Sequence, residues 1–250
     1  MAGLKVATFI DAMASTASAP SLRAIPFERS WPQGIATELL TEGQRQHLAE
    51  IATVRTVRAG ALVFEQGAPA DTIFIVSRGV LKTFHAQRNG AQRVLAFWFP
   101  ADIVGLAESG RYVNTVQAVT AATLYGIDVE ALKASFRRDF ALHFQFLCKV
   151  THELRQVQHR LITVAQRGAM CRVAVFIEML QGTSALRENG NGEVWFPMAR
   201  VDVANYLGLT PETLSRAVTR MKRQGLIETS DRHHLRVLDR TRLHALADPG

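Results

Sequence analysis

Apolar positions recur along this chain with three different periods, and each period marks a different kind of structure. Over residues 38–51, Leu39, Leu40, Leu48 and Ile51 share one helical face. From about 54 to 132 the pattern shortens. Apolar runs at 61–64, 72–76, 80–84, 94–99, 113–119 and 123–127 are separated by Gly60, Gly67, Gly79, Asn89, Gly90, Pro100 and Gly110. Strands of this length at roughly ten-residue spacing predict an antiparallel sandwich or roll. Asn89 and Gly90, both tolerant of positive φ, predict a hairpin. The period changes again at Phe136. Phe136, Phe140, His143, Leu147, Val150, Leu154, Val157, Leu161 and Val164 alternate spacings of four and three, with no Pro or Gly before Gly168. This predicts one long helix over 136–167. So regular a seam meets a partner helix, most simply its own copy, and the dimerisation residues are then Phe140, His143, Leu147, Val150, Leu154, Val157, Leu161 and Val164. Phe144 and Phe146 widen the apolar face, so the helix has a second side for the roll. The plainer alternative is a long core helix packed within one chain.

A third unit follows Gly168. Residues 171–180 read as a helix, 188–193 as a loop with Gly190 and Gly192, and 194–196 as a short strand ended by Pro197. Within 200–226 two short helices are predicted. Val203, Ala204 and Leu207 give the first an apolar side, and Gly208 ends it in the left-handed conformation. Thr210 is a good N-cap, Pro211 fits the first helical position, and Glu212 favours the positive end of the dipole. Thr213 stands where a capping box would need Glu or Gln. Leu214, Ala217, Val218 and Met221 face inward, which leaves Glu212, Ser215, Arg216 and Thr219 in an outward row. That row near a helix N-terminus suits a major groove: Arg216 for guanine, Glu212 for cytosine, Ser215 for close approach. Arg200, Thr210, Thr213, Arg220 and Lys222 are placed for phosphates. Any helical hairpin with a Gly turn has such a face, but a wing adds to the case here. Gly225, Leu226 and Ile227 lead into strands at 231–234 and 235–238, and Asp239 caps a final helix to Ala247.

Composition narrows the partners only a little. The 250 residues carry a net charge of +7 and are 48% hydrophobic, which admits an anionic partner without choosing nucleic acid over a membrane surface. Two cysteines, Cys148 and Cys171, are too few for a disulfide framework, and a reducing cytoplasm is the expected home. Residues 1–36, rich in small residues and punctuated by Pro20, Pro26 and Pro32, read as an N-terminal extension that is partly disordered. They make a poor secretory leader, and no apolar run is long enough to span a membrane.

The stretch DVANYLGLTPETLSR at 202–216 is similar to the DNA-reading motif of the Crp–Fnr regulators, and the resemblance extends from about Leu39 to the C-terminus. It implies an α+β fold: a cyclic-nucleotide-binding-type β-roll over 37–135, a dimerisation helix over 136–167, and a winged helix-turn-helix over 168–250. Glu212, Ser215 and Arg216, with Pro211, resemble the Fnr/FixK branch rather than the Crp branch. The implied target is a TTGAT-like half-site in a TTGA–N–TCAA palindrome, with double-stranded DNA, a second copy and RNA polymerase as partners, and with control of oxygen- or redox-related genes. Gly60, Gly67, Gly79 and Gly105 match the roll's turn glycines.

The sensor half departs from that pattern. Cyclic-nucleotide binders place Gly-Glu and Arg-Ser/Thr pairs around the phosphate; here Leu106 follows Gly105, and Tyr112 follows Arg111. Cyclic AMP is therefore not the expected ligand. Two cysteines cannot hold a Cys-ligated iron–sulfur cluster. No cofactor is predicted. Two alternatives remain within the same fold: haem on His85 or His143, and thiol gating at Cys171 or Cys148. From another class, a cupin-like metal enzyme would need clustered His and Glu on the roll, where His85 is isolated, and a scaffold role would use the roll and helix without DNA.

Overall fold

A computed structural model describes residues 28–29, 37–38, 40–86, 92–166, 168–183, 186–188 and 193–247. The expected N-terminal extension lies outside these residues apart from β1 (Glu28–Arg29), which pairs antiparallel with β2 (Thr37–Glu38). Helix α1 (Glu42–Ile51) begins at Thr41. The Thr41 hydroxyl accepts from the Gln44 amide and the Gln44 side chain accepts from the Thr41 amide, a complete capping box.

The roll is built from two four-stranded antiparallel sheets. One runs β3 (Ala52–Val57), β10 (Ala122–Asp128), β5 (Thr72–Arg78), β8 (Ile103–Val104); the other runs β4 (Leu62–Phe64), β9 (Thr115–Ala118), β6 (Leu81–Ala86), β7 (Gln92–Trp98). Val63, Phe74, Val76, Leu81, Val116 and Leu124 pack between them. All six apolar runs contribute strands. Two further strands lack such a run: β3 exposes residues 53–56, and β8 has two residues. β6 pairs with β7 as an antiparallel ladder, but Asn89 and Gly90 between them fall outside the described residues.

The helical segment differs from expectation at its start. Helix α2 (Val129–Arg138) is separate from α3 (Phe140–Gln166), so Phe136 belongs to the shorter helix. The break comes at Asp139, whose backbone is extended and whose carboxylate accepts the Leu142 amide at 2.9 Å and the Gln44 side chain at 3.0 Å. An N-cap interrupts the helix without interrupting the apolar spacing. Phe136 folds back against α3, with its ring 4.8 Å from His143 and 5.0 Å from Phe146. One side of α3 is buried on the roll through Leu142 and Phe146, which join Leu48, Ile73, Ile75 and Tyr125. Further along, the Lys149 ammonium is buried between Asp102 at 3.2 Å and Glu153 at 3.7 Å. Burial pushes the Glu153 carboxyl up to about 8; the Lys149 charge opposes this and Asp102 reinforces it.

The C-terminal unit comprises α4 (Ala169–Gly182), β11 (Arg187–Glu188), β12 (Glu193–Trp195), α5 (Arg200–Tyr206), α6 (Pro211–Arg223), β13 (Ile227–Glu228), β14 (His234–Val237) and α7 (Arg240–Ala247). Its strands form one antiparallel sheet in the order β11-β12-β14-β13. Glu188 and Glu193, expected in a loop, are paired with each other in β11 and β12. The core of this unit is continuous with part of the roll: Phe176, Leu214, Met221 and Leu243 belong to one cluster with Val80, Val94, Phe97 and Phe99.

Candidate nucleic-acid interface

The turn between α5 and α6 sets the interface. Val203, Ala204 and Leu207 are buried, which lets the second helix approach closely. Gly208 has φ +63°, and a Cβ there would stand 3.3 Å from Val164 and 3.5 Å from the Arg172 guanidinium. The left-handed backbone is what favours glycine here, and Val164 leaves only a little room for a Cβ. The Leu209 amide donates to the Ala204 carbonyl at 2.8 Å, and Arg172 of α4 donates to the Leu207 and Gly208 carbonyls at 3.2 Å each. Arg172 thus closes the C-terminal end of α5. It was not singled out for this turn from sequence, because nothing local links positions 36 residues apart.

Thr210 then starts α6 as its N-cap, accepting the Thr213 amide at 3.2 Å, with Pro211 in the first turn. The inward face is Leu214, Ala217 and Met221, all buried, with Val218 packed beside them. The opposite face gathers Pro211, Glu212, Ser215, Arg216, Thr219, Arg220 and Arg223 into one shallow, solvent-facing surface. Hydrogen bonds from its own backbone amide and from Thr210 hold the Glu212 carboxyl below the usual range, with Arg216 adding to the effect. It is therefore an anion, able to accept but not donate. Thr219 and Arg223 extend the row; their spacing on the helix is the signal that includes them.

The remaining candidates are placed less uniformly. Thr213 is half-buried and its hydroxyl accepts from Thr210 at 3.0 Å. Lys222 donates across to Thr229 at 2.8 Å, joining α6 to the wing. Arg200 is exposed at the start of α5, beside the wing residues Thr229, Asp231, Arg232 and His234. In the wing turn, Asp231 accepts the His233 amide at 2.6 Å and contacts His234 at 2.8 Å. These bonds, led by the His233 amide, hold its carboxyl below the usual range. Arg232 is exposed within this turn.

Along α3 the heptad side chains form a stripe. Phe140, Leu147, Val150, Leu154, Val157 and Leu161 are exposed, and Phe144 and Ile162 flank them. His143 and Val164 are half-buried, against Phe136 and near Gly208 respectively. Cys148 is half-buried on α3. Cys171 is buried, with its thiol 3.6 Å from the Ala247 carbonyl. His85 is exposed on β6, and among the described residues no group of three His, Cys, Asp or Glu is placed to hold a metal ion.

In the roll, residues that stand where the sequence departs from the cyclic-nucleotide pattern make their contacts within the protein. The Tyr112 ring stacks on Phe64 at 3.7 Å, and its hydroxyl donates to the Thr72 carbonyl at 2.6 Å. Arg111 donates to the Gly67 carbonyl at 2.6 Å, and Leu106 is exposed. Burial pushes the Tyr112 phenol up, and nearby Asp71 adds to the shift.

Comparison with known proteins agrees with this architecture. Residues 171–246 match the Crp-like helix-turn-helix domain family and residues 54–139 the cyclic nucleotide-binding domain family. The chain is 30% identical over 195 residues to the transcriptional activator protein FnrA of Stutzerimonas stutzeri, covering 77% of this chain and 80% of that one. It is 28% identical to the nitrogen fixation regulation protein FixK of Rhizobium meliloti, covering 78% and 87%. The solved structure of FixK2 from Bradyrhizobium japonicum superposes with a TM-score of 0.73 at 26% identity, covering 78% of this chain and 97% of that one. These relatives are transcription regulators and not enzymes. The chain belongs to the Crp–Fnr family of DNA-binding transcription regulators, in its Fnr/FixK-like branch.

Proposed function

We propose that the protein works as a homodimer on a TTGA–N–TCAA palindrome. Each copy presents Glu212, Ser215 and Arg216 to one TTGAT-like half-site, while Arg200, Thr210, Thr213, Arg220 and Lys222 lie along the flanking phosphates. The observation that carries this reading is the solvent-facing row on α6: it is polar and cationic, and none of the described residues covers it. Arg216 supplies the paired donors that guanine O6 and N7 accept, and the Glu212 anion accepts from a cytosine amino group. The exposed apolar stripe on α3 supports the symmetric dimer that a palindrome requires, through Phe140, His143, Leu147, Val150, Leu154, Val157, Leu161 and Val164.

Control by cyclic nucleotide is not part of this function. Tyr112, Phe64 and Arg111 already satisfy one another or nearby carbonyls where a phosphate would need charged partners. A Cys-ligated iron–sulfur cluster is excluded by cysteine number. Oxygen- or redox-related genes are the proposed targets, by likeness to the FnrA and FixK relatives, with RNA polymerase as the second partner and the cytoplasm as the site of action. Among the described residues no helix is long and apolar enough to cross a membrane.

The test is a titration of purified protein against the palindrome and a scrambled duplex of equal length, at two salt concentrations. The expected result is tighter binding to the palindrome at both salts, with both affinities falling as salt rises. Equal affinity for the two duplexes would overturn the reading.

A further inference from the structure

β7 is the outer strand of its sheet. Such a strand leaves main-chain donors and acceptors unpaired on one side. Here another domain meets them. The Val94 amide donates to the Asn205 side-chain oxygen at 2.8 Å, and the Asn205 side-chain nitrogen donates to the Gln92 carbonyl at 2.9 Å. One carboxamide on α5 thus does what an adjacent strand would do, because an amide offers one donor and one acceptor side by side. Arg160 of α3 continues along the same edge. Its guanidinium donates to the Leu95 carbonyl, to the Val94 carbonyl at 3.5 Å and to the Tyr206 carbonyl at 2.9 Å, and it lies 4.0 Å over the Tyr206 ring. A largely buried ion pair, Lys82 to Asp202 at 2.9 Å, ties α5 to β6 as well.

Apolar packing crosses this junction as well, where Phe97 packs on Phe176 and Tyr206. Behind the polar contacts lies a cavity of about 170 Å³, bounded by Trp98, Val157, Phe176 and Met179 among others. The directed bonds add an angular constraint that apolar contact beside this cavity supplies less sharply. The chain of reference is short: α3 bears the stripe that meets the second copy, Arg160 joins α3 to β7, Asn205 joins β7 to α5, and α6 packs on α5.

We propose that Asn205 and Arg160 are positioning residues for DNA reading: by pairing with the free edge of β7 they set the separation and tilt of the two recognition helices, and hence the half-site spacing the dimer accepts. This rests on the palindrome reading above. A base pair added between half-sites rotates one of them by about a tenth of a turn, so rigidly held helices reject it and loosely held ones tolerate it.

The experiment compares full-length wild type, Asn205→Ala and Arg160→Met. Amide exchange is read at Val94, and affinity is read on three duplexes: the palindrome, and the same half-sites one base pair closer or farther apart. In Asn205→Ala the Val94 amide should exchange faster while α4 and α7 stay protected. Affinity for the best-spaced duplex should drop by up to about tenfold, the most that two lost positioning hydrogen bonds would cost, with little change on the other two, so the spacing preference weakens. Arg160→Met should weaken it in the same direction. An unchanged spacing preference in both variants overturns the proposal. So does faster exchange throughout α4 and α7, which would make Asn205 a residue of general stability. Failure of the palindrome reading is distinguishable: wild type itself would then fail to separate the palindrome from a scrambled duplex.

Discussion

Helices α3 and α6 each turn a row of side chains to solvent, and the two rows are opposites. On α3 the row is Phe140, Leu147, Leu154 and Leu161, with Leu161 63% exposed. On α6 it is Glu212, Ser215, Arg216 and Arg220. Both helices bury their other side in a core, α3 through Leu142 and Phe146 and α6 through Leu214 and Met221. The difference lies in what can cover each row. An apolar stripe in water is covered by another apolar stripe, and heptad spacing selects a helix. A short polar row with a cationic end is already solvated, and it gains from a partner only where that partner offers matched donors, acceptors and charge, as a DNA groove does. One chain thus carries two surfaces of different physics, and in the proposed dimer the apolar one arranges the polar one in pairs.

The comparison can be broken at either helix. The largest effect is expected from Leu154→Lys, which puts a charge in the middle of the α3 stripe. Sedimentation should show monomer, and palindrome affinity should fall by roughly 10²–10⁴-fold because two linked sites become independent; a stable dimer would mean α3 is not the seam. Thr210→Ala comes next, removing the α6 cap. It should lower unfolding stability by about 1 kcal/mol in urea titration, with no change in sedimentation. Arg220→Ala is smaller still: binding should weaken about equally on all sequences, and the slope of log affinity against log salt should shrink by about one. A separate effect, read as a pH dependence and not as a loss of binding, belongs to Glu153. Its folded value of about 8 lies above the ordinary 4.5, so the folded chain keeps a proton that the unfolded chain has lost. The Glu153 contribution to stability should therefore be full below about pH 4.5, fall as pH rises from there toward 8 and level off above. Asp102, Lys149, His152 and Arg160 lie around this group or along the same cavity wall. Glu153→Gln should flatten that slope in urea midpoints measured at pH 6 and 8.

Much of the DNA-reading half was legible in the sequence, because its signals are local. Thr210, Pro211 and Gly208 act within a few residues of themselves, and the face of α6 follows from helical spacing alone. The roll's six apolar runs were legible for the same reason. What escaped was set by contacts distant in sequence or by a signal that two structures share. Heptad spacing from Phe136 to Phe140 is the same in one helix as in two joined at a cap, so the break at Asp139 was invisible. β3 alternates too little to announce itself, since it gains pairing from β10 rather than from burial. Asn205 read as one more polar residue on a short helix; its partner strand is 111 residues away. Lys149 occupies a buried position because Asp102 and Glu153 accompany it, and only the fold brings Asp102 near.

The claim on which the rest depends is that α6 reads bases. It is tested most directly by measuring wild type and Arg216→Ala, at one salt concentration, on the palindrome and on a duplex in which each half-site's G·C pair is replaced by A·T. The expected result is that wild type loses affinity on the altered duplex, and that Arg216→Ala loses about 1–3 kcal/mol on the palindrome while binding both duplexes almost equally. If Arg216→Ala weakens both duplexes by the same factor and wild type does not distinguish them, Arg216 is a phosphate contact, and α6 does not read sequence there.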